Sequence, residues 1–286
     1  MDKKYFTIQD TAWFCISLFY SRKEWGKLMQ VIRTFYKQNE LLFNNCIIYL
    51  SEDKGEHIRL ALSLSADNDL NLIQQETDRY FRSFISNNPS NEAKPFQYGK
   101  SIWGNYTNNS IEWNRFEFLQ AKNRYYLDFL QKTSSVIIDL LEDDYSLRNT
   151  LSIAIFLGAR LLKISSDILE GQSHISIIDN TLRKLAEDSP YQSFVTEFDL
   201  NERLGLFGIG DEEIMEMIEQ FWSFDDEDYV IYKLWEEEIR KIITIMPDSF
   251  LSLNYFIWFH LDIFDSLKLI IIYSLKKWCQ NNVKYN

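Results

Sequence analysis

"LSEDKGEHIRLALSL" spans Leu50 to Leu64, and its second half decides the fold. Ile58, Leu60, Leu62 and Leu64 alternate with His57, Arg59, Ala61 and Ser63. That period of two predicts a half-buried strand with four aliphatic side chains on one face. The opposite face carries His57 and Arg59 side by side, at a hairpin end expected to be wet. The polar stretch Ser51 to Glu56, with Gly55 near its end, suits a hairpin back to "NNCIIYLS" (Asn44 to Ser51). "AWFCISLFY" (Ala12 to Tyr20) is an almost unbroken apolar run and reads as a third, buried strand. Between the strands, "KEWGKLMQVIRTFYKQN" places Trp25, Leu28, Met29, Ile32, Phe35 and Tyr36 at helical spacing. "DNDLNLIQQETDRYFRSFISNN" is helical too, capped by Asp67 or Asn68, with Leu70, Ile73, Phe81 and Phe84 on one side, and it ends before Pro89. The order β-α-β-β-α predicts a split sheet with helices on one face.

From Asn87 to Ser110 the composition turns to Asn, Ser, Gly and Pro, with Trp103 and Tyr106 among them. A loop of this length in a compact domain is functional or disordered. Beyond Ile111 the pattern is helical, through one helix or two up to Asp144, then "SLRNTLSIAIFLGARLLKIS". A polar stretch follows from Gly171 to Arg203. "GDEEIMEMIEQFWSF" begins a helix whose acidic first turn complements the helix dipole. The last two helices are read as Asp225 to Met246 and, past Pro247, Ser249 to Gln280. The expectation is an α+β fold, mostly helical, with a small N-terminal antiparallel or mixed sheet (strands near 12–20, 44–51 and 57–64). It forms a single domain over 1–286, sheet-containing in 1–88 and helical in 111–286.

A net charge of −12 argues against nucleic acid, whose binders present a basic face. The richest apolar segment, Tyr255 to Leu275, is interrupted by His260, Asp262, Asp265 and Lys268, so a buried helix is expected rather than a membrane span. Met1-Asp2-Lys3-Lys4 opens no apolar run ending in small residues, which predicts a cytoplasmic protein. Cys15, Cys46 and Cys279 show no CxxC pairing and read as reduced thiols. His57, His174 and His260 lie far apart without a second ligand at metal spacing, so no metal is expected. The acidic run Asp225 to Tyr229 reads as a solvated helix start, and the aromatic clusters "RYYLDF" and "FIWF" as core stripes.

The order of landmarks carries a resemblance. A strand with a tryptophan is followed by an amphipathic helix and a hairpin ending in "HIRL". Then come an aromatic and glycine-bearing loop, a helix closing in Thr133-Ser134 before "VIIDLL", and a C-terminal helix bearing "WFHLDIF". This resembles the C-terminal elimination domain of lantibiotic dehydratases and its stand-alone relatives in thiopeptide biosynthesis. It is most similar to a stand-alone pyridine synthase. The resemblance implies one of two reactions. Eliminating members remove glutamate from glutamylated Ser or Thr. Pyridine synthases join two dehydroalanines of one precursor peptide in a formal aza-[4+2] cycloaddition, losing water and the leader peptide. The family commonly has His-Leu-Arg-Leu-Arg where this chain has His57-Ile58-Arg59-Leu60-Ala61. Its glycine-rich loop carries Glu-Arg-Tyr-Gly-Gly where this one reads Ile102-Trp103-Gly104-Asn105-Tyr106. His260 stands at the family's C-terminal histidine, but Phe264-Asp265 replaces the Asn-Arg that follows it.

Those departures favour the cyclase. A departing glutamate carboxylate needs arginine forks, whereas closing a ring needs confinement, worth roughly 7–11 kcal/mol in favourable cases, and an amide held as its iminol. The resemblance then assigns catalysis to His260 and Arg59. His260 would transfer protons near neutrality, and Arg59 would donate to the amide oxygen as it gains negative character. His57, Trp103 and Tyr106 are the substrate-binding candidates, the two aromatics as a stacking wall. Each has a plainer reading as well: a packed histidine, a solvated arginine, aromatics that tuck the loop down. No cofactor is expected. The expected partner is a precursor peptide whose leader binds by strand addition to the sheet or in a helical groove, with Lys23, Arg33 and Lys37 as a local basic patch. The chain would be a monomer or homodimer, in contact with other biosynthetic enzymes. A glutamate-elimination subunit is the alternative, and a non-catalytic peptide scaffold the third.

Overall fold

In the computed structural model, which describes residues 6–8, 11–64, 69–91, 106–113, 124–141, 147–169, 172–188, 210–223, 230–263 and 265–282, the strand read from its alternation is the second of a hairpin. It runs His57–Leu64 (β4) and pairs antiparallel with β3 (Phe43–Ser51). Lys54 (φ 61°) and Gly55 (φ 117°) make the turn between them; only glycine is at ease at the second of these values. On its other side β4 pairs with β2 (Thr11–Phe19), which also pairs with the short β1 (Phe6–Ile8) and β5 (Ser110–Trp113). All five strands are antiparallel in the order β1-β2-β4-β3, with β5 also on β2.

The register puts Phe14, Ile16 and Leu18 of β2 beside Leu62, Leu60 and Ile58, with Cys46, Ile48 and Leu50 of β3 on the far side. This is the aliphatic face the alternation predicts, and helices cover it. Helix α1 (Trp25–Gln38) buries Trp25, Leu28, Met29, Ile32 and Phe35. The Phe35 ring lies 5.7 Å from Phe43 and 5.0 Å from Phe81 of α2 (Leu70–Asn87). Each fully buried aliphatic or aromatic side chain there contributes roughly 1.5–3 kcal/mol. Asp69, not Asp67 or Asn68, caps α2, accepting from the backbone of Asn71 and Leu72.

Two corrections concern this part of the chain. Residues 110–113 are strand β5 and not the start of a helix. Trp113 packs on Phe14 at 5.5 Å and donates to Asp78 of α2, which fixes β5 to the aliphatic side. The pair Thr133-Ser134 lies inside α3 (Arg124–Leu141), fully buried, rather than at a helix end. Ser134 Oγ accepts from the backbone N–H of Ile48 at 3.1 Å, and Gln131 donates to the carbonyl of Asn44. Helix α3 thus packs against the β3 edge and bonds its backbone at Asn44 and Ile48.

The chain divides into two compact units, Met1–Tyr145 and Ser146–Asn286. In the second, α4 (Leu147–Ile168) is the central helix and contacts α5 (His174–Asp188), α6 (Asp211–Trp222), α7 (Val230–Ile245), α8 (Phe250–His260) and α9 (Asp265–Asn282). A Cβ on Gly158 of α4 would lie 3.5–3.7 Å from Leu275, Asn254 and Ile271, so α8 and α9 approach it closely. Arg160 of α4 donates through Nε to Glu236 of α7 at 2.7 Å, a mostly buried ion pair. The polar stretch expected from Gly171 contains α5, which buries Ile177, Ile178, Thr181 and Leu185. The helix expected over Ser249 to Gln280 is two. Asp262 turns left-handed (φ 54°), and the N–H of Ile263 reaches back to the carbonyl of Trp258 at 2.8 Å, ending α8. Trp258 is core, fully buried, as is Phe129, whereas Phe259 is 39% exposed. The acidic run Asp225 to Tyr229 lies outside the described residues. Among the described residues no helix is long and apolar enough to cross a membrane.

Candidate functional site

Strand register assembles a polar patch on the sheet face opposite α1 and α2. Glu112 of β5 stands beside Ser17 of β2, Ser17 beside Arg59 of β4, and Arg59 beside Tyr49 of β3. The neighbouring row is Ser110, Phe19, His57 and Ser51. Opposite residues of an antiparallel pair share a face, so these eight side chains form one surface.

That surface is not the wet hairpin end expected. His57 is fully buried and Arg59 is 9% exposed. A buried guanidinium is costly unless its donors are used, and at least two of them are. Arg59 Nε donates to His57 Nε2 at 2.8 Å, and Nη2 donates to Ser51 Oγ at 3.0 Å. Because His57 Nε2 accepts, its proton sits on Nδ1, which donates to the carbonyl of Gly55 at 2.7 Å. Burial, reinforced by the adjacent guanidinium, lowers the His57 pKa to about 3 against the Gly55 hydrogen bond. Near neutral pH His57 is therefore a neutral acceptor, with both ring nitrogens engaged inside the protein.

Burial also pushes the Tyr49 phenol well above its ordinary value, so it stays protonated beside Arg59. Cys15, one row further along the same face, is raised to about 12 and is an inert thiol. All three cysteines are buried, and none is in a disulfide.

Of the aromatic loop residues, Tyr106 reaches this patch. Its ring lies 5.0 Å from Phe19, which in turn lies 4.6 Å from the His57 imidazole. The Tyr106 N–H donates to the carbonyl of Lys54 at 2.9 Å, so the loop end is tied to the β3–β4 turn. The adjoining chain is held by Ser90, whose backbone and hydroxyl bond Asn108 and Asn109. Trp103 lies outside the described residues. The structure thus brings Arg59, His57 and Tyr106 together in the first unit.

His260 belongs to the second unit. It is the last residue of α8 and fully buried, two residues before the left-handed Asp262. Of the basic residues proposed for a leader, Arg33 pairs with Asp139 of α3 at 3.4 Å.

Sequence reasoning missed Ser17, Tyr49, Ser51 and Glu112. Ser17 and Tyr49 were legible in principle, since each sits in a strand two residues from a position of the same face. Glu112 was not, because β5 is only four residues long. Among the described residues no cluster of three or more His, Cys, Asp or Glu side chains is placed to hold a metal ion. Among the described residues the patch offers one preorganised cation, Arg59, one carboxylate, Glu112, neutral hydrogen-bonding groups and an aromatic wall. That set can polarise a carbonyl oxygen and hold an uncharged chain.

No family model matches the sequence, and no curated protein matches it. Solved structures do. The chain is similar to the pyridine synthase TbtD from thiomuracin biosynthesis, with a TM-score of 0.62 at 12% identity over 94% of this chain and 98% of that one. It is also similar to the tRNA-dependent lantibiotic dehydratase MibB from Microbispora sp. 107891, with a TM-score of 0.57 at 11% identity. That match covers 95% of this chain and 28% of the dehydratase. The fold is therefore the one the resemblance in the sequence implied.

Proposed function

We propose that the chain is a stand-alone, cofactor-free pyridine synthase of ribosomal peptide biosynthesis. It would join two dehydroalanines of a leader-bearing precursor and release water and the leader peptide. One observation carries the reading. Arg59 is the one guanidinium that the described strands place on the polar face, and its Nε and Nη2 donate to His57 and Ser51. Those two groups form one of the edges with which arginine clamps a carboxylate side-on. An arginine that spends that edge internally is poorly suited to expelling glutamate. It is well suited to supplying fixed positive charge to an amide oxygen as the iminol forms, an effect worth a few kcal/mol when preorganised. His260 would carry the proton transfers of the later dehydration, and Tyr106 would stack on the azole-rich chain.

A synthetic leader-linked peptide with two dehydroalanines tests the reading. The expected result is leader release with pyridine absorbance and no added cofactor. Turnover of a glutamylated peptide to dehydroalanine instead would establish the elimination reaction, and tight binding of both peptides without turnover a scaffold.

A further inference from the structure

Three successive carbonyls of the β3–β4 turn hold three different parts of the first unit. Lys54 accepts from the N–H of Tyr106 at 2.9 Å, Gly55 from Nδ1–H of His57 at 2.7 Å, and Glu56 from the N–H of Tyr20, just past β2, at 3.1 Å. The first bond anchors the aromatic wall. The second anchors the imidazole whose Nε2 accepts from Arg59 Nε at 2.8 Å. Both rings contact that of Phe19, at 5.0 Å for Tyr106 and 4.6 Å for His57. The Lys54 and Gly55 carbonyls belong to rigid peptide planes joined at the Gly55 Cα. The dihedrals of Gly55 therefore fix the angle between the two anchors, and its φ is 117°. That value lies beyond the left-handed region other residues visit. A Cβ there would meet the Phe19 ring and the Tyr106 carbonyl at an ordinary 3.5 Å. The demand for glycine is thus one of backbone angle and not of space.

We propose that Gly55 is a positioning residue of this site. Its backbone angle sets the Arg59–His57 pair and the Tyr106 ring in one fixed relation, so that a peptide lying on the ring brings its amide oxygen to the guanidinium. The proposal rests on the cyclase reading. An L-residue at position 55 is driven away from φ 117°, which turns the Lys54 carbonyl from Tyr106 or the Gly55 carbonyl from His57. In the second case the imidazole loses the acceptor that keeps its proton on Nδ1. With the proton on Nε2 it no longer accepts from Arg59, and the guanidinium loses its aim.

The test compares the full chain as wild type, Gly55→Ala and Gly55→Asn. The His57 tautomer is read from its ring-nitrogen NMR shifts, assigned with His57→Gln. Ring closure is measured in single turnover at saturating leader-linked peptide with two dehydroalanines, beside leader affinity and the thermal melt. The expected wild type is the Nδ1–H tautomer. The Ala variant should gain the Nε2–H tautomer and close the ring at least about tenfold more slowly, with leader affinity unchanged. The Asn variant should fall between them in both readouts, because asparagine is bulkier than alanine but tolerates positive φ better. An Asn variant worse than Ala would make space the determinant and overturn the assignment. So would a changed tautomer at full rate, or an active wild type matched in tautomer and rate by the variants. If Ala gives no cooperative melt, the Asn variant decides by the same two readouts. A wild type that closes no ring overturns the cyclase reading, and the catalytic role of Gly55 with it.

Discussion

Arg59 and His57 hold each other in one protonation state: Nε of the arginine donates to Nε2 of the imidazole at 2.8 Å, and Nδ1 donates to Gly55 at 2.7 Å. Protonating the imidazole would put a second N–H where the acceptor now stands and a second positive charge beside the guanidinium. The histidine of the "HIR" segment is thereby a holder of the arginine rather than an acid or base in its own right.

Stability should respond to pH accordingly. The unfolded imidazole titrates near 6.5 and the folded one at about 3, so between those values the unfolded chain binds more protons. This contribution is fully present above pH 6.5 and is lost as pH falls toward 3, at up to about 1.4 kcal/mol per pH unit. Urea denaturation from pH 7 to pH 4 should show the slope, and His57→Gln, which keeps an acceptor without the titration, should flatten it. An unchanged slope in the Gln variant would place the titration elsewhere.

Arg59→Lys keeps the charge but loses the planar fork that bonds His57 and Ser51 at once. On the cyclase reading, pyridine formation should slow at least about tenfold, equivalent to 1.4 kcal/mol of transition-state stabilisation. Leader-peptide affinity, measured by fluorescence anisotropy, should not move. A lysine variant at full rate would remove the fixed geometry of the guanidinium from the mechanism.

The strands, the hairpin turn and the two faces of β4 were legible because a period of two needs only a few residues to declare itself. The burial of the polar face was not. The Phe19 ring beside His57 is met by Tyr106, which arrives from about fifty residues downstream, and two members of the face were hidden, Glu112 in a strand of four residues and Ser17 in an apolar run. Helix α5 escaped notice because Thr181 sits in the middle of its buried stripe and its other faces are polar. The break after His260 escaped for a different reason: a single residue, Asp262, adopting φ 54° ends the helix, and hydrophobic periodicity is blind to one backbone angle. His260 was found through the resemblance, but its place at a helix end came only with the coordinates.

Ser134→Ala should destabilise the first unit. The hydroxyl is fully buried, accepts from Ile48 of the edge strand and donates to the carbonyl of Leu130 at 2.8 Å. Removing it leaves a buried backbone N–H without its partner, a loss of about 1–3 kcal/mol. A lower urea midpoint at unchanged slope is the expected readout. A variant as stable as wild type would mean that the β3 edge finds another acceptor.

His260 presents the sharpest separation of chemistry from packing. The side chain is fully buried at the end of α8, so truncation to alanine both removes an imidazole and opens a cavity. His260→Gln retains most of the volume and the hydrogen-bonding capacity but cannot exchange a proton near neutrality. If His260 carries proton transfers of the dehydration, both variants should slow pyridine formation at least about tenfold. Only alanine should then lower the thermal midpoint by more than about 2 °C. A fast, stable glutamine variant would make the imidazole a packing residue and leave the proton work to the sheet face.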